Sequence, residues 1–124
     1  MDWKLELIPV PVSDIDRAKA FYVDQVGFVA DHDIPVDDEL RFVQLTPPGS
    51  ACSVVLDVNM TDMAPGSQRG LQIVVPDADE ARRHLLDHGV DATAVEDLPW
   101  GRFTRFADPD GNTWALQQIV YPQA

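Results

Sequence analysis

His84 and His88 lie four residues apart, a spacing that sets two imidazoles on one helix face, where they could hold a zinc ion. Glu80, His84 and His88 also form one polar stripe, separate from the apolar stripe of Ala78, Ala81 and Leu85. His88 falls near the helix C-terminus, where positive charge is favoured. We read the pair as a solvated face. Cys52 is the only cysteine, and it reads as a small buried hydrophobe rather than a nucleophile. His32, the remaining histidine, lies on a strand that could point it inward or outward. One thiol and one imidazole do not make a metal centre. Recognition by hydrogen bonding has better candidates. Gln72 and Gln117 offer amides, Arg102 could pair with a carboxylate, and Trp100 could stack on an aromatic ring. The competing reading makes Trp100 a cap on the core edge and Arg102 a surface charge. There is no Gly-x-Ser-x-Gly elbow, phosphate-binding glycine loop, dinucleotide fingerprint or His-Glu-x-x-His. The catalytic residues are therefore unknown, and no cofactor is expected.

The elements that position these residues come in two copies. Val12-Ser13-Asp14-Ile15-Asp16-Arg17-Ala18 resembles Val75-Pro76-Asp77-Ala78-Asp79-Glu80-Ala81, at an offset of 63 (77 − 14). Arg41-Phe42 matches Arg102-Phe103 at an offset of 61 (102 − 41). A repeat this long predicts a duplicated unit that buries its core against its twin. In the first half, residues 5–12 read as a strand. A helix capped by Ser13 or Asp14 then runs to Val26 and stops at Gly27. Strands follow over 28–32, 40–46 and 51–58. The second half repeats the order, with a strand over 70–75, a helix over 77–88, and strands over 90–94, 102–107 and 113–119. Asp108-Pro109-Asp110-Gly111-Asn112 forms the last hairpin turn. Pro9 and Pro11 both lack amide donors on one side of the first strand, which places it at a sheet edge.

The expected class is α+β: two tandem βαβββ modules forming a cup-shaped mixed sheet with helices on the outside. One domain over residues 1–124 contains module one (1–58), a linker (59–69) and module two (70–124). Hydrophobic residues make up 45% of the 124, enough for a core. A net charge of −12, from 21 acidic and 9 basic residues, disfavours nucleic acid and anionic membranes as partners. No apolar run is long enough to span a bilayer, and the N-terminus lacks the pattern of a secretory signal. With one cysteine, a cytoplasmic location is expected.

Three stretches carry a family resemblance: residues 10–22 (Val-Pro-Val-Ser-Asp-Ile-Asp-Arg-Ala-Lys-Ala-Phe-Tyr), Val26-Gly27-Phe28, and residues 106–114 (Phe-Ala-Asp-Pro-Asp-Gly-Asn-Thr-Trp). In this order, with the repeat, the chain resembles the vicinal oxygen chelate superfamily. That group includes glyoxalase I, extradiol dioxygenases, fosfomycin resistance enzymes and bleomycin-binding resistance proteins. The resemblance implies metal ligands at four cup-facing positions, which here fall on Leu7, Val54, Gly70 and Ala115. None of these side chains can ligate a divalent ion. The reading is therefore metal-free.

Residues two or four positions along the same strands share the cup face. They give an apolar wall that includes Leu5, Pro9, Cys52, Leu56, Val74 and Thr113, with Gln72 and Gln117 as its amides. Asp57, on the opposite parity to Val54, should point away. The candidate ligand-binding set is Leu7, Pro9, Cys52, Val54, Gly70, Gln72, Trp100, Arg102, Ala115 and Gln117. The expected partner is a small aromatic or apolar molecule, bound as the drug-sequestering members of the family bind theirs. The alternative is an enzyme (lyase, isomerase or dioxygenase) working without metal or with relocated ligands. The resemblance also implies a homodimer, and leaves open whether modules pair within or between chains.

Overall fold

The computed structural model describes residues 1–120. The end of module two as drawn from the sequence, residues 121–124, lies outside the described residues. Strand β1 (Leu7–Pro11) leads into helix α1 (Ile15–Ala20), which continues as a π-helical segment, Phe21–Val26. Strands β2 (Val29–Pro35), β3 (Arg41–Thr46) and β4 (Ser53–Asp57) complete the first half. The second half holds β5 (Leu71–Val74), α2 (Ala78–Asp87), β6 (Glu96–Leu98), β7 (Gly101–Ala107) and β8 (Thr113–Ile119). The two sheets have the same order, β1-β4-β3-β2 and β5-β8-β7-β6, each with a parallel pair at one end.

The repeat is visible at the level of single hydrogen bonds. The Asp14 carboxylate caps α1 by accepting from the Arg17 amide at 3.0 Å, and Asp77 caps α2 by accepting from Glu80 at 3.1 Å. Gly27 ends the first helical segment at φ 105°, a left-handed conformation that glycine adopts without steric cost. Arg41 forks onto Asp33 through two bonds of 2.7 Å and reaches Asp16 at 2.6 Å. Its repeat mate Arg102 holds Asp97 and Asp79, both at 2.7 Å. Each arginine ties the first turn of its helix to a neighbouring strand. Hydrogen bonds from Arg41 and then Lys19 hold the Asp33 carboxyl well below the usual carboxylate range.

Strand β1 is an edge strand, as its prolines require. Its outward carbonyls are met by the connecting segment: the Gly66 amide donates to Pro11 O at 3.0 Å, and the Gln68 side chain to Pro9 O at 3.0 Å. One expected strand does not form. Residues 90–94 are irregular, and the strand that pairs with β7 is Glu96–Leu98 instead. The Thr93 hydroxyl accepts from the Arg105 amide at 2.9 Å while the Thr93 amide donates to Arg105 O. A side chain thus replaces a ladder acceptor, and the regular pairing is lost there.

One hydrophobic core serves both halves. Val10, Val12, Val43, Leu45, Val54 and Leu56 from the first sheet join Phe106, Trp114 and Leu116 from the second. Phe21, Tyr22 and Leu85 from the helices fill the space between. Tyr22 stacks on Phe28 with centroids 5.4 Å apart, and both meet the Trp114 ring edge-on. The helix-bearing faces of both sheets therefore turn toward this cluster, and their other faces carry no helix.

Candidate functional site

Alternation along the strands fixes what the helix-free faces present. In the first sheet Leu7 aligns with Ser53 and Pro9 with Val55, so these four share the helix-free face. Gln44 aligns with Val55 and His32 with Gln44, which adds both to it. The face carries a polar row. Thr46 and Ser53 hydroxyls lie 2.6 Å apart, Gln44 donates to Ser53 at 3.3 Å, and Thr46 also bonds to Asp31. In the second sheet Gln72 aligns with Ala115, and Arg105 aligns with Ala115 from the other side. Gly70, Gln72, Arg105, Thr113, Ala115 and Gln117 thus share the helix-free face of that sheet.

A cleft of about 480 Å³ opens on this second face. Gly70, Ala107, Thr113 and Ala115 line it, with Asp91, Thr93 and Arg105 from the flanking strand and loop. Beside it, Gln72 donates to Gln117, and Gln117 donates to the Trp100 carbonyl at 3.1 Å. Trp100 stands in the turn before β7 and is 60% exposed, and Val74 on the helix-free face is also 60% exposed. The arrangement offers flat apolar surface and a few fixed hydrogen-bonding groups, the features of a small-molecule cleft.

The structure brings Gly70, Gln72, Trp100, Ala115 and Gln117 together around the second sheet, and places Leu7 and Pro9 on the first. Four expected positions fall elsewhere. Val54 is a core residue beside Val10 and Leu56, and Val55 takes the place beside Pro9 that Ala115 takes beside Gln72. The turn from Thr46 to Ser53 is one residue longer than that from Ala107 to Thr113, which shifts the repeat offset to 60 (115 − 55) and reverses the parity. Leu56 follows Val54 into the core. Cys52 precedes β4, with Sγ 3.6 Å from Ser53 O, in a turn apart from the cleft. Arg102 turns to the helix side, where Asp79 and Asp97 hold it. Asp57 has the parity of Val55, but its carboxylate is buried and caps the following turn, accepting from Met60 at 2.8 Å and Thr61 at 3.1 Å.

Ser53 and Arg105 are among the residues that escaped the sequence reading. Ser53 was missed through the shifted parity. Arg105 was missed although it is the repeat mate of Gln44, at the offset of 61 that links Arg41 to Arg102.

The vicinal oxygen chelate metal does not fit these faces. Leu7, Val55, Gly70 and Ala115 occupy the ligand positions, and none carries a donor atom. Among the described residues, no three His, Cys, Asp or Glu side chains converge. The histidine pair on α2 is engaged with backbone carbonyls: His84 Nε2 lies 2.8 Å from Val26 O, and His88 Nδ1 lies 2.7 Å from His84 O. A nitrogen facing a carbonyl carries its proton, which leaves the other nitrogen of each ring with the lone pair, and no third donor stands beside the two rings among the described residues. No helix among the described residues is long and apolar enough to cross a membrane.

Comparison with known proteins gives a family match over residues 4–116, to the Glyoxalase/Bleomycin resistance protein/Dioxygenase superfamily. TnmS3, an antibiotic binding protein from Streptomyces sp. CB03234, is 39% identical with a TM-score of 0.89, over 96% of this chain and 98% of that one. A glyoxalase/bleomycin resistance protein from the same organism is 41% identical with a TM-score of 0.84, over 93% and 100% of the two chains. YetH of Bacillus subtilis (strain 168), an uncharacterized protein, is 26% identical over 90% of this chain and 94% of its own.

Proposed function

This chain belongs to the Glyoxalase/Bleomycin resistance protein/Dioxygenase superfamily, and on that premise we propose that it binds and sequesters a small, largely apolar or aromatic molecule without a metal ion. The observation that carries the reading is the set of donor-free residues at the family's ligand positions, Leu7, Val55, Gly70 and Ala115, beside a largely apolar cleft on the second sheet. The likeness to TnmS3 supports it, because that protein is an antibiotic binding protein and shares 39% of its residues with this one.

The binding cup is built by two copies. Within one chain the two sheets share a core through their helix-bearing faces, so neither helix-free face closes over the other. Val29, Ile34, Val74 and Trp100 stand exposed on or beside these faces. A second copy that lays its first sheet against this second sheet would bury them and enclose the cleft. The acidic surface and single thiol suit the cytoplasm.

Equilibrium dialysis of chelator-treated protein against polycyclic aromatic metabolites, followed by mass analysis of what is retained, tests the reading. Retention of unaltered compound supports it. Recovery of an altered compound would transfer the site to a metal-independent enzyme. Retention only after a divalent ion is restored would overturn the metal-free assignment.

A further inference from the structure

Arg105 is the one basic residue lining the cleft on the second sheet. Its guanidinium carbon lies 5.2 Å from the centroid of the Phe103 ring, two residues back on the same strand, which holds the side chain along the sheet face. Its nearest carboxylate, Glu96, stands 4.0 Å away, at the outer limit of an ion pair. Four other arginines are occupied. Arg41 and Arg102 hold carboxylates at 2.6–2.7 Å, Arg17 reaches Asp110 at 3.2 Å, and Arg69 donates to Gly111 O at 2.7 Å. Among the described residues the Arg105 guanidinium makes no hydrogen bond. A planar fork of N–H donors, held over Phe103 and only loosely paired with Glu96, therefore stands at the edge of an apolar cleft.

The remaining polar groups of the cleft are mostly satisfied. The Thr93 hydroxyl accepts from the Arg105 amide, and the Thr113 hydroxyl accepts from Gly70 at 2.8 Å. Asp91 is the one carboxylate in the lining. The protein as a whole repels anions, with a net charge of −12. A cation fixed beside an apolar wall reverses that preference at one point.

Resting on the proposed binding cleft, we infer that Arg105 sets the ligand class: an aromatic body bearing an anionic oxygen group, such as a carboxylate, a sulfonate or an ionised phenol, with that group on the guanidinium. The aromatic part lies along Gly70, Ala107 and Ala115, where the absence of bulky side chains leaves the sheet surface open.

Fluorescence titration of the intact protein with two matched probes tests this. 8-Anilinonaphthalene-1-sulfonate carries the anionic group, and N-phenyl-1-naphthylamine is its neutral counterpart. Arg105→Gln should weaken binding of the sulfonate by about tenfold and leave the neutral probe within about twofold. Asp91→Asn should strengthen the sulfonate alone. Circular dichroism melts of each variant confirm that the fold is kept. Equal effects of Arg105→Gln on both probes, or none on either, would overturn the role of Arg105 while leaving the cleft intact. If the unaltered protein binds neither probe, the cleft reading fails and takes the inference with it.

Discussion

The phenol of Tyr22 donates to the buried carboxylate of Asp108 at 2.7 Å, joining a helix of the first half to the last hairpin of the second. Trp114 Nε1 donates to the same phenol oxygen at 2.9 Å. Asp108 also accepts from the Asp110 and Asn112 amides and from the Asn112 side chain. Asn112 in turn donates to Pro11 O at 2.8 Å and accepts from the Gln68 amide. The Asp-Pro-Asp-Gly-Asn stretch therefore holds the halves together. Burial, then the Asp108 charge, keep the Tyr22 proton in place far above the usual phenol range.

Tyr22→Phe should destabilise the protein by about 1–3 kcal/mol, because it leaves the indole N–H of Trp114 without an acceptor and removes a donor from a buried carboxylate. Urea unfolding monitored by tryptophan fluorescence reads the loss as a lower midpoint with an unchanged slope.

Gly66→Ala should cost more than about 1 kcal/mol. Gly66 has φ +79°, and a Cβ there would stand 2.0 Å from the Asp110 carbonyl oxygen. The same unfolding experiment applies. Gly49→Ala is the control, since it shares a positive φ of 85° but its Cβ would meet open space. The difference between the two isolates the clash.

The Asp33–Arg41 fork makes an acid-sensitive contribution. Its hydrogen bonds lower the folded-state pKa of Asp33 below the unfolded value. The stabilisation is present in full above the ordinary carboxylate range and fades as pH falls below about 4 toward the folded value. Solvent screening at this surface limits it to about 1 kcal/mol or less. The stability gap between the unaltered protein and Asp33→Asn should therefore be open at neutral pH and narrow as the pH drops below about 4. A gap that widens on acidification would contradict the assignment.

Divalent ions should leave thermal stability unchanged. A metal at 100 times its dissociation constant would add about 2.7 kcal/mol to a folded state that binds it. Melting curves with zinc, nickel or manganese, each against a chelator control, should superimpose.

Much of the fold was legible because it is written twice. The first helix's cap at Ser13 or Asp14, resolved by the structure to Asp14, the glycine that stops that helix and the edge prolines of β1 each follow from local chemistry that does not depend on the partner element. The candidate site was less legible, because it depends on strand parity, and parity is sensitive to one residue. The longer turn between β3 and β4 sent Val54 and Leu56 to the core and brought Ser53 and Val55 to the helix-free face. Gln72, Ala115 and Gln117 sit on regularly paired strands, where the alternation follows the pleat. Arg102 was misplaced because its helix-side carboxylate partners lie 23 residues back and 5 residues back in sequence, a contact only the fold creates.

Native mass spectrometry of chelator-treated protein with N-phenyl-1-naphthylamine and a panel of polycyclic aromatic metabolites tests the central claim most directly. It reads chain stoichiometry, bound compound and bound metal together. The account predicts two chains carrying two molecules of unaltered compound and no metal. A complex that forms only when a divalent ion is present in the same particle would contradict it.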